Sequence, residues 1–398
     1  FALVAGYLGT LITQTLTYAA ADFGASTADQ GTLLAGVRVG VLLSMVIVAI
    51  ADRRGRRNIL AGALIAGCTI TALGALAPGL VVLGTTQTFA RAFSTVVALI
   101  IAIIAVEEMP AGARAFAVSV VTMTAGLGAG LCVLNLLYID RAAWAWRLAF
   151  LVPLLFVPMC WRLLRRLPET FRFEIHERAV HAAELDHTEF ATVVPTRARI
   201  DRRRFLLLAC AAFCWSVFLA PAAQFLNEFL RTERGFSGAE IALFVLATNT
   251  PGGIGIVLGG RLAERHGRRI IGAVGITGGV SFTVIAYLSW GWPLWIASIL
   301  AAVVGALAVP ALAVYGPELF PTELRGRANG GLQVVGVAGS SVGLLSAGWL
   351  ADRIGSLGPA IAVLAMGPVI VILLVLTLFP ETARRELEEL NPTPGTTT

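Results

Sequence analysis

Lysine is absent from this 398-residue chain, and charge of either sign is scarce. Charged residues make up 14%, while 57% are hydrophobic and the mean hydropathy is +0.82. A soluble domain carries roughly 25% charged residues, so most of this surface is expected to face lipid. Histidine numbers four. His176, His181 and His187 stand 5 and 6 residues apart, spacings that match no metal site. Five cysteines, Cys68, Cys132, Cys160, Cys210 and Cys214, are scattered through apolar runs. Cys210 and Cys214 lie one helical turn apart, which is neither a redox nor a metal spacing. No cofactor and no metal are therefore expected. No nucleophile–base pair lies near the end of an apolar run, which argues against an enzyme. No phosphate-binding glycine loop of the P-loop type occurs, which argues against ATP-driven pumping. No charged segment or cleavage site precedes the apolar run at Phe1, so no signal peptide is visible.

What the chain does have is long apolar stretches. A membrane helix needs about 20 such residues. Twelve stretches qualify, near 1–21, 31–51, 58–79, 82–106, 115–138, 143–163, 205–229, 240–263, 270–289, 292–316, 328–350 and 357–379. Proline and glycine fall inside several of them, as membrane helices tolerate. Pro251-Gly252-Gly253 predicts a kink in the eighth. Gly126 and Gly130, four apart in the fifth, predict a close helix crossing there. The expected fold is an all-α integral membrane protein of twelve helices. Residues 1–163 form one six-helix bundle and 205–398 a second with a tail. The charged segment 164–204 joins them.

The 30 basic residues are all arginine, and they set the orientation. Twenty-three fall on one side of the expected topology. Five fall on the other: Arg141, Arg147, Arg231, Arg234 and Arg353. Basic loops stay on the cytoplasmic side, so both termini are expected there, in the plasma (inner) membrane. The arginines sit in short loops between apolar runs, which argues against a nucleic-acid partner. The expected partners are a small-molecule substrate, membrane lipid and protons, with the chain acting as a monomer.

The chain also repeats itself. Asp52-Arg53-Arg54-Gly55-Arg56-Arg57 returns as Glu264-Arg265-His266-Gly267-Arg268-Arg269. Glu107 and Arg114 return as Glu318 and Arg325, Ile139-Asp140-Arg141 as Ala351-Asp352-Arg353, and Pro168-Glu169-Thr170 as Pro380-Glu381-Thr382. Every offset is 211 or 212. Transporters use such repeats to place a site between two halves that rock about it. Phe213 less the offset lands on Phe1, yet the seventh stretch begins near Phe205. A longer first helix is therefore expected in the full protein.

These motifs resemble the major facilitator superfamily over the whole chain. The signature loop is intact in its second copy, Gly260 to Arg269, with Glu264 in place of Asp. In the first copy Val48 replaces the opening glycine. The run Gly316-Pro317-Glu318-Leu319-Phe320-Pro321-Thr322-Glu323-Leu324-Arg325-Gly326 resembles the sugar-porter and metabolite:proton symporter branches. The paired glutamines of sugar porters are missing from 205–229, so a sugar is less expected than another small organic solute. The resemblance implies alternating access and a cytoplasmic latch built from Asp52, Arg56, Glu107, Arg114, Glu264, Arg268, Glu318 and Arg325. Simple anchoring by positive charge is the plainer account of the same residues.

Polar residues within a span are costly and usually functional. Tyr7, Thr10, Thr13, Gln14 and Thr17 share one face of the first span, as a cavity wall or as hydrogen-bonding contacts between helices. Gln224, Asn227, Glu228 and Arg231 share a face of the seventh. Asn249 and Gln333 stand alone in the eighth and eleventh. Trp215 lines a cavity or packs. Arg38 and Arg91 are the sharpest feature, each some ten residues inside a span. An unpaired guanidinium at that depth costs several kcal/mol, so each needs a partner. One answer is an anionic substrate, a small organic carboxylate, bound with Gln14, Trp215, Gln224, Asn227, Asn249 and Gln333. The other pairs Arg38 with Asp22, and Arg91 with Glu228 or backbone carbonyls. Asp22 and Glu228 are also the candidates for proton coupling, since in related symporters an acid on the first helix often pairs with the arginine of the fourth, and the middle of this first span holds none. The expected function is proton-coupled symport of a small organic solute. The alternative is a multidrug or lipid exporter, for which Phe213, Trp215 and Phe218 leave room.

Overall fold

The computed structural model describes residues 1–54, 56–108, 114–164, 201–313, 315, 319–320 and 322–381. Within its helices, the side chains at 49–54, 56, 106–108, 114–119, 164, 313 and 322–327 are also outside the described set. The expected connecting segment 164–204 falls largely outside it. Among the described residues every regular element is helical.

The chain divides into two compact units, Phe1–Thr196 and Arg197–Thr398. In the first, α1 is Ala2–Phe23, α2 Thr27–Arg54, α3 Arg56–Leu73, α4 Leu80–Glu108, α5 Arg114–Val133 with a short continuation Leu136–Ile139, and α6 Trp146–Leu164. In the second, α7 is Arg202–Gln224, α8 Gly238–Asn249 plus Gly252–His266, α9 Arg268–Leu288, α10 Trp292–Ala306 plus Ala308–Ala313, α11 Thr322–Ile354, and α12 Leu357–Leu364 plus Met366–Thr377. Among the described residues, eleven helical stretches are long and apolar enough to cross a membrane. The twelfth expected span is α1, 22 residues long. Gln14 and its threonines dilute its hydropathy.

The two units pack their helices alike. In the first, α1 lies on α5, α2 on α4, and α3 on α4 and α6. In the second, α7 lies on α11, α8 on α10, and α9 on α10 and α12. Glycine makes the closest crossings possible, because backbones can then touch. A Cβ on Gly6 of α1 would overlap the Ala125 carbonyl of α5, and one on Gly128 would overlap that of Leu3. The second unit repeats this with Gly339 against Phe213 and Gly343 against Val217. The crossing glycine is thus Gly128. The expected pair, Gly126 and Gly130, has open space where a side chain would go. The reason is rotational: two residues along a helix is about 200°, so Gly128 points to the opposite side from its neighbours.

The expected kink in α8 is present, with the helix interrupted at Thr250-Pro251. α7 is broken as well. It ends at Gln224, and the chain continues as a short α-helical turn and a π-helical turn, Phe229–Glu233. Pro221 lacks the N–H that would have bonded one turn back, and the break follows at Phe225.

One turn also repeats. Gly24 (φ 64°) ends α1 and Gly235 (φ 71°) precedes α8, a backbone region that favours glycine. Two residues on, Ser26 and Ser237 cap α2 and α8. Asp29 N donates to Ser26 Oγ at 3.1 Å, and Ser26 N donates to Asp29 Oδ2 at 3.0 Å. Ser237 and Glu240 form the same reciprocal box. The offset is 211 once more.

Candidate functional site

Arg91 sits on α4, and its polar surroundings belong to the first unit. Its Nη1 donates to the Gly9 carbonyl of α1 at 2.5 Å. A Cβ on Gly9 would lie 3.4 Å from Nη1. One turn along, Ser94 and Thr95 hydroxyls donate back to the Arg91 carbonyl at 3.0 and 2.8 Å. Arg38 lies on α2, half-buried, on the helix that packs against α4 at Arg91. The crossing there is close, since a Cβ on Gly40 would overlap the Thr88 carbonyl and lie 3.1 Å from Arg91 Cβ. No described carboxylate pairs with Arg38 or Arg91. Of the possible partners, Arg91 therefore has the backbone carbonyl.

A cleft of about 550 Å³ lies between α2 and α4 at the end that carries Asp29. Thr32, Gly36, Thr85 and Thr88 line it, so it reaches within one turn of Arg91 along α4. Gln14 is buried on α1. Tyr7 shares the polar stripe of that helix but serves a different purpose. Its hydroxyl donates to the Ala149 carbonyl of α6 at 2.7 Å and accepts from Asn135 Nδ2 at 2.7 Å. Asn135 Oδ1 in turn accepts from the Tyr138 hydroxyl at 2.8 Å. This is a buried polar bracket between α1, α5 and α6. Asn135 was legible as a polar residue in an apolar run, but its role depends on Tyr7, 128 residues away.

Asp22 does not reach Arg38. Its carboxylate is 3.5 Å from Arg147 Nη2 and accepts from Trp146 Nε1 at 3.2 Å. Arg147 Nη1 donates to the carbonyls of Ala75 and Ala77 at 2.7 and 2.9 Å, and the guanidinium lies 4.6 Å from the Trp146 ring centre. One arginine thus ties the ends of α1, α3 and α6. The second unit ties α7, α9 and α12 with different residues. Arg234 donates to the Ser289 and Tyr287 carbonyls at 3.0 and 2.9 Å and stacks on Phe229 and Trp290 at 4.2 and 4.1 Å. Burial lowers the pKa of Arg234, and the neighbouring Glu233 opposes the shift. Glu233 accepts from the Ser356 hydroxyl at 2.8 Å and from the Leu357 amide.

The other expected site residues of the second unit are spread out. Asn227 and Glu228 are buried just beyond the α7 break, while Gln224 precedes it and is half-buried. Asn249 and Gln333 are exposed. Trp215 lines a separate apolar cavity of about 370 Å³ within this unit.

The family model described as Major Facilitator Superfamily matches residues 1–248 and 205–395. The chain belongs to that superfamily. It is a multi-pass membrane transporter of the secondary type, and not an enzyme. It is 25% identical over 359 residues to the cis,cis-muconate transport protein of Acinetobacter baylyi, covering 87% of this chain and 84% of that protein. Among solved structures it resembles the E. coli xylose transporter XylE in its inward-open conformation, with TM-score 0.77 at 17% identity over 98% and 96% of the two chains. It also resembles the nucleoside transporter NupG, with TM-score 0.73 at 12% identity over 95% and 98%.

The latch residues implied by the superfamily motifs lie mostly beyond the described set. Glu318 is outside it, as are the side chains of Asp52, Arg56, Glu107, Arg114 and Arg325. Glu264 is exposed and Arg268 half-buried. What holds this corner is Glu381, of the repeated Pro-Glu-Thr. Its carboxylate accepts from the Arg268 and Arg269 amides at 3.0 and 3.2 Å, capping α9 where anionic charge is favoured. Gly267, at φ 95°, makes room for it. A Cβ there would lie 2.8 Å from Glu381 Oε2. Arg269 completes the join by donating to the Val375 and Leu376 carbonyls of α12. The sequence shows both motifs but not that they meet.

Proposed function

We propose that this transporter carries a small organic anion by proton-coupled symport and alternating access. The observation that carries this reading is the pair Arg38 and Arg91. Both lie within spans of the first unit and have no described carboxylate partner. A neutral carbonyl on Arg91 leaves its charge uncompensated, and a carboxylate ligand would supply what Gly9 does not. Gln14, on the same helix as Gly9, supplies polar contact. The similarity to a muconate transport protein supports a carboxylate over a sugar. Trp215, Gln224, Asn227, Asn249 and Gln333 are proposed as substrate contacts within the second unit, taken by itself. Of the two coupling candidates, Asp22 is held by Arg147 and Trp146. The buried Glu228 is therefore the better proton carrier. The latch, the cytoplasmic termini, the plasma membrane and a monomeric state belong to the same reading.

The test is uptake into proteoliposomes of a labelled panel of mono- and dicarboxylates, sugars and amines, with and without an inward proton gradient. The expected result is gradient-stimulated uptake of a carboxylate, lost in Arg91→Ala and Arg38→Ala and uncoupled from the gradient in Glu228→Gln. Normal carboxylate uptake by both arginine variants would overturn it. The apolar cavity beside Trp215 favours a second reading, a multidrug or lipid exporter. Dye efflux from cells, with no carboxylate uptake, would select that reading.

A further inference from the structure

We infer that the first unit binds one buried water molecule between α3 and α4, held by Thr71 and Gln87. Two polar atoms lead to it. Thr71 Oγ1 and Gln87 Nε2 are enclosed, on residues 0% and 3% exposed, and neither has a hydrogen-bond partner among the described residues. A buried hydroxyl or amide left unpaired is costly, and an ordered water is the usual remedy.

Packing brings the two side chains to one place. A Cβ on Gly67 of α3 would lie 4.0 Å from Ser94 N of α4. One on Gly74, in the turn Gly74–Leu76 that follows α3, would lie 2.8 Å from Gln87 Nε2. The helices are thus antiparallel, and Thr71 stands level with Ala90, less than one turn from Gln87 along α4. Thr71 is also three residues before Gly74, and residues at that spacing have Cβ positions about 5–6 Å apart. The hydroxyl and the amide therefore border the same small space without bonding each other. Alanine at 90 and glycine at 74 leave room in it. The carbonyls of the same turn are already satisfied, since Arg147 Nη1 donates to Ala75 and Ala77.

The second unit supplies a contrast. Gly67 meets Phe93 as Gly279 meets Gly305, so an offset of 212 holds on both helices. At that offset Thr71 becomes Thr283 and Gln87 becomes Ile299. Thr283 Oγ1 donates one turn back to the Gly279 carbonyl at 2.7 Å. With no amide opposite, this threonine closes on its own helix. Thr71 makes no such bond. Water suits the pair because it both donates and accepts. It accepts from Gln87 Nε2 and bonds Thr71 Oγ1 in either sense, and neither side chain carries a charge to hold an ion. The water pins α3 to α4, the helix that carries Arg91, whatever Arg91 itself binds.

The test is thermal unfolding of the full chain. Thr71→Val and Gln87→Met keep nearly the same size and each remove one partner of the water. Each should lower the midpoint by about 1–4 °C. The double variant should lose no more than the larger single loss, because both act through one molecule. Thr283→Val should lose less than Thr71→Val, since its bond lies within one helix. Unchanged or raised midpoints in the two single variants, losses that add in the double, or an equal loss in Thr283→Val would each overturn the proposal. A crystal structure of the wild-type chain that resolves ordered water gives the direct reading. One water oxygen should lie about 2.7–3.2 Å from both atoms. A Thr71 hydroxyl turned onto the Gly67 carbonyl, with no water beside Gln87, would overturn the proposal even where the variants do not fold.

Discussion

The two halves of this transporter share a frame and differ in what they put inside it. The frame repeats at the level of backbone: Gly24 and Gly235 at the same turn, Ser26 and Ser237 at the same cap, glycine at the α1–α5 and α7–α11 crossings. The contents do not repeat. At an offset of 211 or 212, Arg91 meets Ala302 or Val303, and Arg38 meets Asn249 or Thr250, none of them charged. The first half holds two buried-zone cations, and the second holds an aliphatic cavity with one indole. Even where both halves do the same job, they use different atoms. Arg147 on α6 ties three helix ends in one, and Glu233 with Arg234 beyond α7 does so in the other. Duplication thus fixed where helices turn and touch, and left the interior free to diverge into unlike binding chemistry.

The comparison can be broken first at the crossings. Gly128→Leu and Gly339→Leu should each cost more than about 4 kcal/mol, since a side chain would meet backbone. Neither should yield monodisperse protein on size exclusion. Gly126→Leu and Gly130→Leu should behave as wild type, and a collapse of those two instead would restore the expectation from sequence spacing. Next in size is the asymmetry of charge. Arg91→Ala should reduce carboxylate uptake by roughly 10- to 100-fold, the worth of a hydrogen bond to a charged group. Val303→Ala, at the equivalent position, should change it less than about twofold. Equal losses would mean that both halves hold the substrate in the same way.

The terminal ties come third. Arg147→Gln and Arg234→Gln each lose two carbonyl contacts and aromatic stacking. Each should cost about 1–3 kcal/mol, read as a lower midpoint in thermal unfolding. A loss in only one half would show that the two devices are not equivalent. The smallest effect belongs to the caps. Ser26→Ala and Ser237→Ala should cost about 1 kcal/mol each. Matching shifts in the same assay support the repeat at this turn, and a neutral Ser26→Ala would confine it to the second half.

Much of the fold was readable because membrane helices announce themselves by length and composition, and because charged loops repeated at a fixed offset. The Ser26 and Ser237 turns repeat at that offset as well. They are harder to see, since Asp29 and Glu240 differ and the intervening residues share little. The site was readable only in part. Arg38 and Arg91 stood out because charge in a span is costly. Their surroundings did not, since the Gly9 carbonyl is backbone, and no side-chain pattern predicts it. Asp22 was a natural partner for Arg38 on charge alone, but Arg147 and Trp146 reach it first. The spacing of Gly126 and Gly130 fitted a crossing that belongs to Gly128. Spacing gives a face of a helix, and only tertiary packing says which face meets a neighbour.

The most direct test of this division of labour is equilibrium binding of labelled small carboxylates to purified protein, with wild type beside Arg38→Ala, Arg91→Ala and, as a control, Arg353→Gln. Saturable carboxylate binding is expected in wild type and in Arg353→Gln, with a loss of at least about tenfold in both of the other variants. Undiminished binding in Arg38→Ala and Arg91→Ala would contradict it.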